Sequence, residues 1–66
     1  MRIVLNGESV ETAAESTVGM LLQQLGISRE RVAVELNADI VPKGDYEERL
    51  LSDGDKIEIV HFVGGG

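Results

Sequence analysis

Twelve carboxylates, a single histidine and a closing run of three glycines are the residues whose chemistry could define this 66-residue chain. The carboxylates do not assemble into an acid–base pair. Glu47 and Glu48 are adjacent, and sequence neighbours do not face each other on a helix. Asp53 and Asp55 flank Gly54, a turn setting in which aspartate is favoured for its bonds to the backbone. His61 has no nucleophile beside it, no serine lies in a nucleophile elbow, and no glycine-rich loop joins a strand to a helix as a phosphate cradle would. Cysteine is absent, which excludes disulfides, thiolate metal sites, iron–sulfur clusters and a cysteine nucleophile. One histidine also excludes a histidine-pair metal site. The sequence therefore predicts no active site and no bound cofactor or metal.

The reactive group that remains is the α-carboxylate of Gly66. With a reference pKa of about 3.3–3.7 it is ionised at neutral pH. It is a poor electrophile, but it can attack the α-phosphate of ATP to give an acyl-adenylate, a mixed anhydride that then accepts a nucleophile. The catalyst for that step must be another protein. Gly64, Gly65 and Gly66 lack Cβ atoms, so they read as a flexible tail thin enough for a narrow slot. A frayed end has the same composition, and the glycines alone do not separate the two. Extended, residues 63–66 reach about 13–14 Å, enough to thread a partner's active site while the body docks outside.

The elements that must hold out this tail follow from the patterning. Arg2 to Leu5 is aliphatic and is followed at once by Asn6-Gly7, the pair suited to a type I′ turn, and Glu8 to Thr12 alternates as a half-exposed strand. Ser16 or Thr17 can cap a helix in which Val18, Leu21, Leu22 and Leu25 form one apolar stripe and Gly26 supplies the left-handed end. Gly19 within it costs roughly 1 kcal/mol against alanine and marks either a close helix–sheet approach or tolerated weakness. Val32, Val34 and Leu36 alternate as a third strand. Pro42 confines the short Ile40-Val41 segment to an edge. Tyr46 to Leu51 predicts a single helical turn with Tyr46 and Leu50 facing inward, and the last strand runs from Lys56 to Phe62.

One helix and four or five strands fit an α+β fold, a mixed sheet with the helix packed across one face. With the first and last strands as parallel central neighbours, this is the ubiquitin-like β-grasp, over residues 1–62, with 63–66 as the tail. Along the last strand Ile57, Ile59 and His61 point one way, and Lys56, Glu58, Val60 and Phe62 the other. If the isoleucines face the helix, Val60 and Phe62 form a partner-binding surface beside the tail; a strand bulge would instead turn Phe62 into the core.

Composition bounds the rest. Apolar residues at 42% and charged residues at 27% indicate one globular domain, and one Tyr, one Phe and no Trp demand an aliphatic core. The formal charge of −6 opposes nucleic acid and anionic membranes and favours basic partner faces. The N-terminus opens on a strand pattern without a secretory signal, and no apolar run approaches the ~20 residues of a membrane span, so a cytoplasmic location is expected.

Val32-Ala33-Val34-Glu35-Leu36-Asn37, Ile40-Val41-Pro42, the aromatic Tyr46, Asp53-Gly54-Asp55 and Ile57-Glu58-Ile59-Val60 ahead of terminal glycines together resemble the bacterial sulfur carriers of thiamine biosynthesis, the ThiS family. The likeness covers nearly the whole chain, with Lys43 where arginine is expected and Tyr46 where tryptophan is also common. It implies that a ThiF-type enzyme adenylates Gly66 with ATP and magnesium. Sulfur delivered as a persulfide from a cysteine desulfurase route then makes a thiocarboxylate, which a ThiG-type thiazole synthase consumes. The same fold also suits the small subunit of molybdopterin synthase, a ubiquitin-like modifier, or a passive interaction module.

Overall fold

The computed structural model describes residues 1–62. Asn6 and Gly7 have φ values of 48° and 84°, the two left-handed residues of a type I′ turn, and join β1 (Arg2–Leu5) to β2 (Glu8–Glu11) in register from Arg2–Glu11 to Leu5–Glu8. A second tight hairpin joins β3 (Val32–Leu36) to β4 (Asp39–Val41). Here the left-handed residues are Asn37 and Ala38, at 51° and 74°, so an alanine occupies a position that favours glycine. β5 (Lys56–His61) lies between the hairpins, parallel to β1 and antiparallel to β3, which completes a sheet ordered β2-β1-β5-β3-β4. The pairing of first and last strands is the one expected of a β-grasp, and β4 is at an edge as Pro42 requires.

The one α-helix among the described residues, α1 (Val18–Leu25), starts where Thr17 Oγ1 accepts the Met20 N–H at 3.1 Å. Ser16, the other capping candidate, is buried and donates to the Ala13 carbonyl instead. Gly26, at φ 71°, closes the C-terminus. Val18, Leu21 and Leu22 pack with Ile3, Val32, Val34, Leu36, Ile57 and Ile59 in one aliphatic core. β1, β3 and β5 contribute alternate residues to it, because successive side chains point to opposite sides of the sheet.

Two details depart from expectation. Between β4 and β5 the chain makes a 3-10 turn over Lys43–Asp45, and the Glu48 and Arg49 N–H groups donate to the Asp45 carbonyl. The helical turn thus begins earlier than Tyr46. Tyr46 is buried, at 1% exposure, but Leu51 rather than Leu50 turns inward, and Leu50 is 58% exposed. Leu50 instead bridges in the extended manner to Thr17, and that bridge reverses which of the two leucines faces the core.

Gly19 does meet a close approach, but not from the sheet. A Cβ there would lie 2.8 Å from Glu47 Oε1 and 3.1 Å from an Arg29 guanidinium nitrogen, while the Gly19 N–H donates to the Tyr46 carbonyl at 2.9 Å. The obstructing carboxylate ends a flexible, exposed side chain paired with Arg29. Displacing it forfeits a surface ion pair, worth about 0–1 kcal/mol, whereas alanine gains about 1 kcal/mol of helix propensity. Gly19→Ala is therefore expected to stabilise the fold by about 0.5 kcal/mol, read from the urea midpoint.

Candidate functional site

The residues that lead to the chain's end are set by β5, the most enclosed strand of the sheet. On one side it pairs with β3 from Leu36–Ile57 to Val32–His61. On the other it pairs with β1 only at Val4–Lys56 and Leu5–Ile57, because β1 must turn at Asn6. The Asn6 N–H still reaches the Ile57 carbonyl at 2.9 Å, and its side chain continues the ladder. Asn6 Oδ1 accepts the Ile59 N–H at 2.8 Å, and Asn6 Nδ2 donates to the Ile59 carbonyl at 3.3 Å. Asn6 thus does more than supply a turn: its amide clasps β5 at Ile59, three residues before Phe62. Asn6→Ala removes both bonds and puts a Cβ without local polar compensation at positive φ. It is expected to cost about 2 kcal/mol in chemical denaturation, and Asn6→Gly should restore only the backbone share.

The last described residue is fixed by the main chain. Phe62 N–H donates to the Arg31 carbonyl at 2.9 Å, extending the β3–β5 ladder by one bond. Its ring is 60% exposed, so no bulge turns it into the core. Lys43 Nζ stands 5.5 Å from the ring centroid and donates to the Glu30 carbonyl at 3.3 Å. Val60 also points outward, at 55% exposure, opposite Ala33. The two candidate contact residues, Val60 and Phe62, are therefore both available to a partner. Gly64, Gly65 and Gly66 lie outside the described residues.

Several of the other polar groups have structural partners. Asp53 Oδ1 accepts the Arg2 N–H at 2.8 Å; Asp55 accepts the Ser52 N–H at 2.7 Å and the Asn37 side-chain amide at 3.0 Å. Glu47 pairs with Arg29 and holds that guanidinium above its ordinary pKa, chiefly by the hydrogen bond between them. His61 sits at the exposed end of β5 opposite Val32. Among the described residues no cluster of three His, Asp or Glu could hold a metal, and no helix is long and apolar enough to cross a membrane. Lys43, the Arg31 carbonyl and the Asn6 amide were not legible as parts of this site. The Asn6 amide and the Arg31 carbonyl reach it through the register of β1 and β3 against β5, and Lys43 through the 3-10 turn that follows β4.

A β-grasp body whose central strand leads into an exposed aromatic, two residues before a glycine run, defines a ubiquitin-like carrier or modifier type of domain. The model of the ThiS family matches residues 3–66, and the chain belongs to that family. The sulfur carrier protein ThiS of Bacillus subtilis is 44% identical over 63 residues, spanning 94% of this chain and 96% of that one. A crystal structure of ThiS from Geobacter metallireducens superposes with a TM-score of 0.86 at 32% identity, over the whole of both chains. A protein described as thiazole synthase, from Paramagnetospirillum magneticum, is 50% identical over all 66 residues, and this chain spans 20% of its length.

Proposed function

We propose that this protein is a sulfur carrier for thiazole formation in thiamine biosynthesis, a co-substrate and not an enzyme. A ThiF-type partner, using ATP and magnesium, adenylates the carboxylate of Gly66: a carboxylate oxygen attacks the α-phosphorus and pyrophosphate leaves. A persulfide from a cysteine desulfurase route then attacks the acyl carbon and displaces AMP. A thiol cleaves the resulting acyl disulfide, forming a disulfide with the sulfur donor and releasing the thiocarboxylate that serves a ThiG-type thiazole synthase. Gly64 and Gly65 lead the reactive end into the partner's site, and Val60 and Phe62 contact the partner's rim. Family membership carries this reading, and the anchoring of Phe62 at the end of the central strand agrees with it. Absence of cysteine also agrees, since sulfur would be held on the terminal carbonyl carbon.

The match to a much longer thiazole synthase favours that enzyme class as the sulfur acceptor, and it raises a second reading, in which the carrier works as one domain of such a chain. Intact mass spectrometry of the natural protein, before and after incubation with the adenylating enzyme, ATP and a sulfur donor, tests both. Exchange of one oxygen for sulfur at Gly66 is the expected result. A native polypeptide running on past Gly66, with no processing there, would overturn the free-carrier reading.

A further inference from the structure

Asn6-Gly7 is the one asparagine–glycine pair in the chain. Asparagine is a thermolabile residue, and before glycine it can cyclise: the glycine nitrogen attacks the side-chain amide carbon, with no Cβ beside it to hinder the approach. The nucleophile is open in this turn. Gly7 is exposed, a Cβ built on it would meet nothing within 4 Å, and among the described residues its N–H has no acceptor. The electrophile is the guarded half. The Ile59 N–H holds Asn6 Oδ1 at 2.8 Å and the Ile59 carbonyl holds Asn6 Nδ2 at 3.3 Å, so the amide is committed to β5 and is not free to turn back onto the nitrogen that follows it. Two other positions have related chemistry, and each is closed differently. Asn37 precedes Ala38, whose Cβ crowds the attack, and its amide is tied to the Lys56 N–H and to Asp55. At Asp53-Gly54 the Gly54 N–H already donates to the Arg2 carbonyl at 2.7 Å.

We infer that Asn6 is a deamidation site that the folded protein keeps shut by its own clasp on Ile59, and that unfolding opens. In the open chain the Gly7 nitrogen gives up its proton and bonds to Asn6 Cγ, the Cγ–Nδ2 bond breaks, and ammonia leaves with that proton. Water then adds across either carbonyl of the succinimide ring and leaves an aspartyl or an isoaspartyl residue at position 6. No oxidant or reductant is involved. Neither product restores the clasp. The aspartyl form is ionised at neutral pH and sets an oxygen where Nδ2 had donated, so two acceptors face each other at the Ile59 carbonyl. The isoaspartyl form adds a carbon to the backbone of a two-residue turn whose φ values, 48° and 84°, are fitted to the hairpin. A chain that has spent time unfolded therefore refolds with β5 less firmly held, three residues before Phe62. The inference is independent of the carrier reading, since it concerns only the bond between the first turn and the last strand.

The test incubates the full chain across a guanidinium chloride series at one pH and temperature and follows position 6 by peptide mapping with mass spectrometry. Conversion should track the unfolded fraction. In the folded protein it should be slower by about tenfold or more, because both bonds to Ile59 must open before the ring can close. Asn37 should lag behind Asn6 in the fully unfolded chain. Equal rates at position 6 on either side of the unfolding midpoint would overturn the inference, as would an Asn37 that converts as fast as Asn6 once unfolded. The effect of the product is read separately from Asn6→Asp, whose urea midpoint should fall below that of the parent. A parent-like midpoint in that variant would overturn the claim that conversion loosens β5.

Discussion

Deletion of Gly66 should abolish charging by the adenylating enzyme while leaving the unfolding midpoint where it was. The core is complete by Ile59, and the last described backbone bond from this end is made by Phe62, so folding does not depend on the final residue. Chemistry does. Removing one residue draws the carboxylate back by about 3.3–3.6 Å along an extended chain. A misplacement of only about 1 Å can cost on the order of 10²-fold in rate, so at least that loss in kcat/KM is expected. Gly65→Ala should act in the same direction more weakly, by adding a Cβ where a narrow slot must close. Both are read from the oxygen-for-sulfur mass shift with the midpoint measured alongside, and undiminished thiocarboxylate formation on the shortened chain would sink the carrier assignment.

The second large effect concerns Tyr46. It is the largest fully buried side chain, the one aromatic of a core otherwise made of Leu, Ile and Val, with the Arg29 guanidinium 5.9 Å from its ring centroid. Truncating a buried aromatic costs about 3–5 kcal/mol. A domain of this length has roughly 3–10 kcal/mol in total. Tyr46→Ala is therefore expected to populate the unfolded state at room temperature, seen as loss of the cooperative urea transition. Tyr46→Phe should stay folded. Burial pushes the Tyr46 phenol above its ordinary pKa, against the pull of Arg29. The folded state thus holds this proton more tightly than the unfolded chain, and stability should fall as pH rises through and beyond about 10. The Tyr46→Phe variant has no phenol to ionise and should lack that alkaline loss, which a pH series of unfolding midpoints checks.

Local chemistry was the readable part of the fold. Asn6-Gly7, the Thr17 cap, the Leu21-Leu22 stripe and Gly26 each act through residues within a turn of themselves, so their outcome follows from their own types. Leu50 and Leu51 show where that ends. Both are apolar, both adjoin a turn, and only the bridge from Leu50 to Thr17, more than thirty positions away in sequence, decides which is buried. Asn37-Ala38 is a similar case, since alanine gives no hint of a left-handed turn and the hairpin forces it there. At the site, outward Val60 follows from strand alternation. Phe62 could not be placed, because its position depends on the Arg31 carbonyl and on Lys43.

The placement of β5 has a consequence for how the molecule assembles. Two hairpins, β1–β2 and β3–β4, can each form from neighbours in sequence, yet neither touches the other within the sheet until the strand made last slides between them. Until then the inner rims of β1 and β3 are both unpaired, the condition under which chains join edge to edge. Closing that gap is a long-range event and should set the pace of folding. A nascent chain stalled before Lys56 would expose two sticky borders, whereas the finished one seals them with the same segment that it offers to its partners.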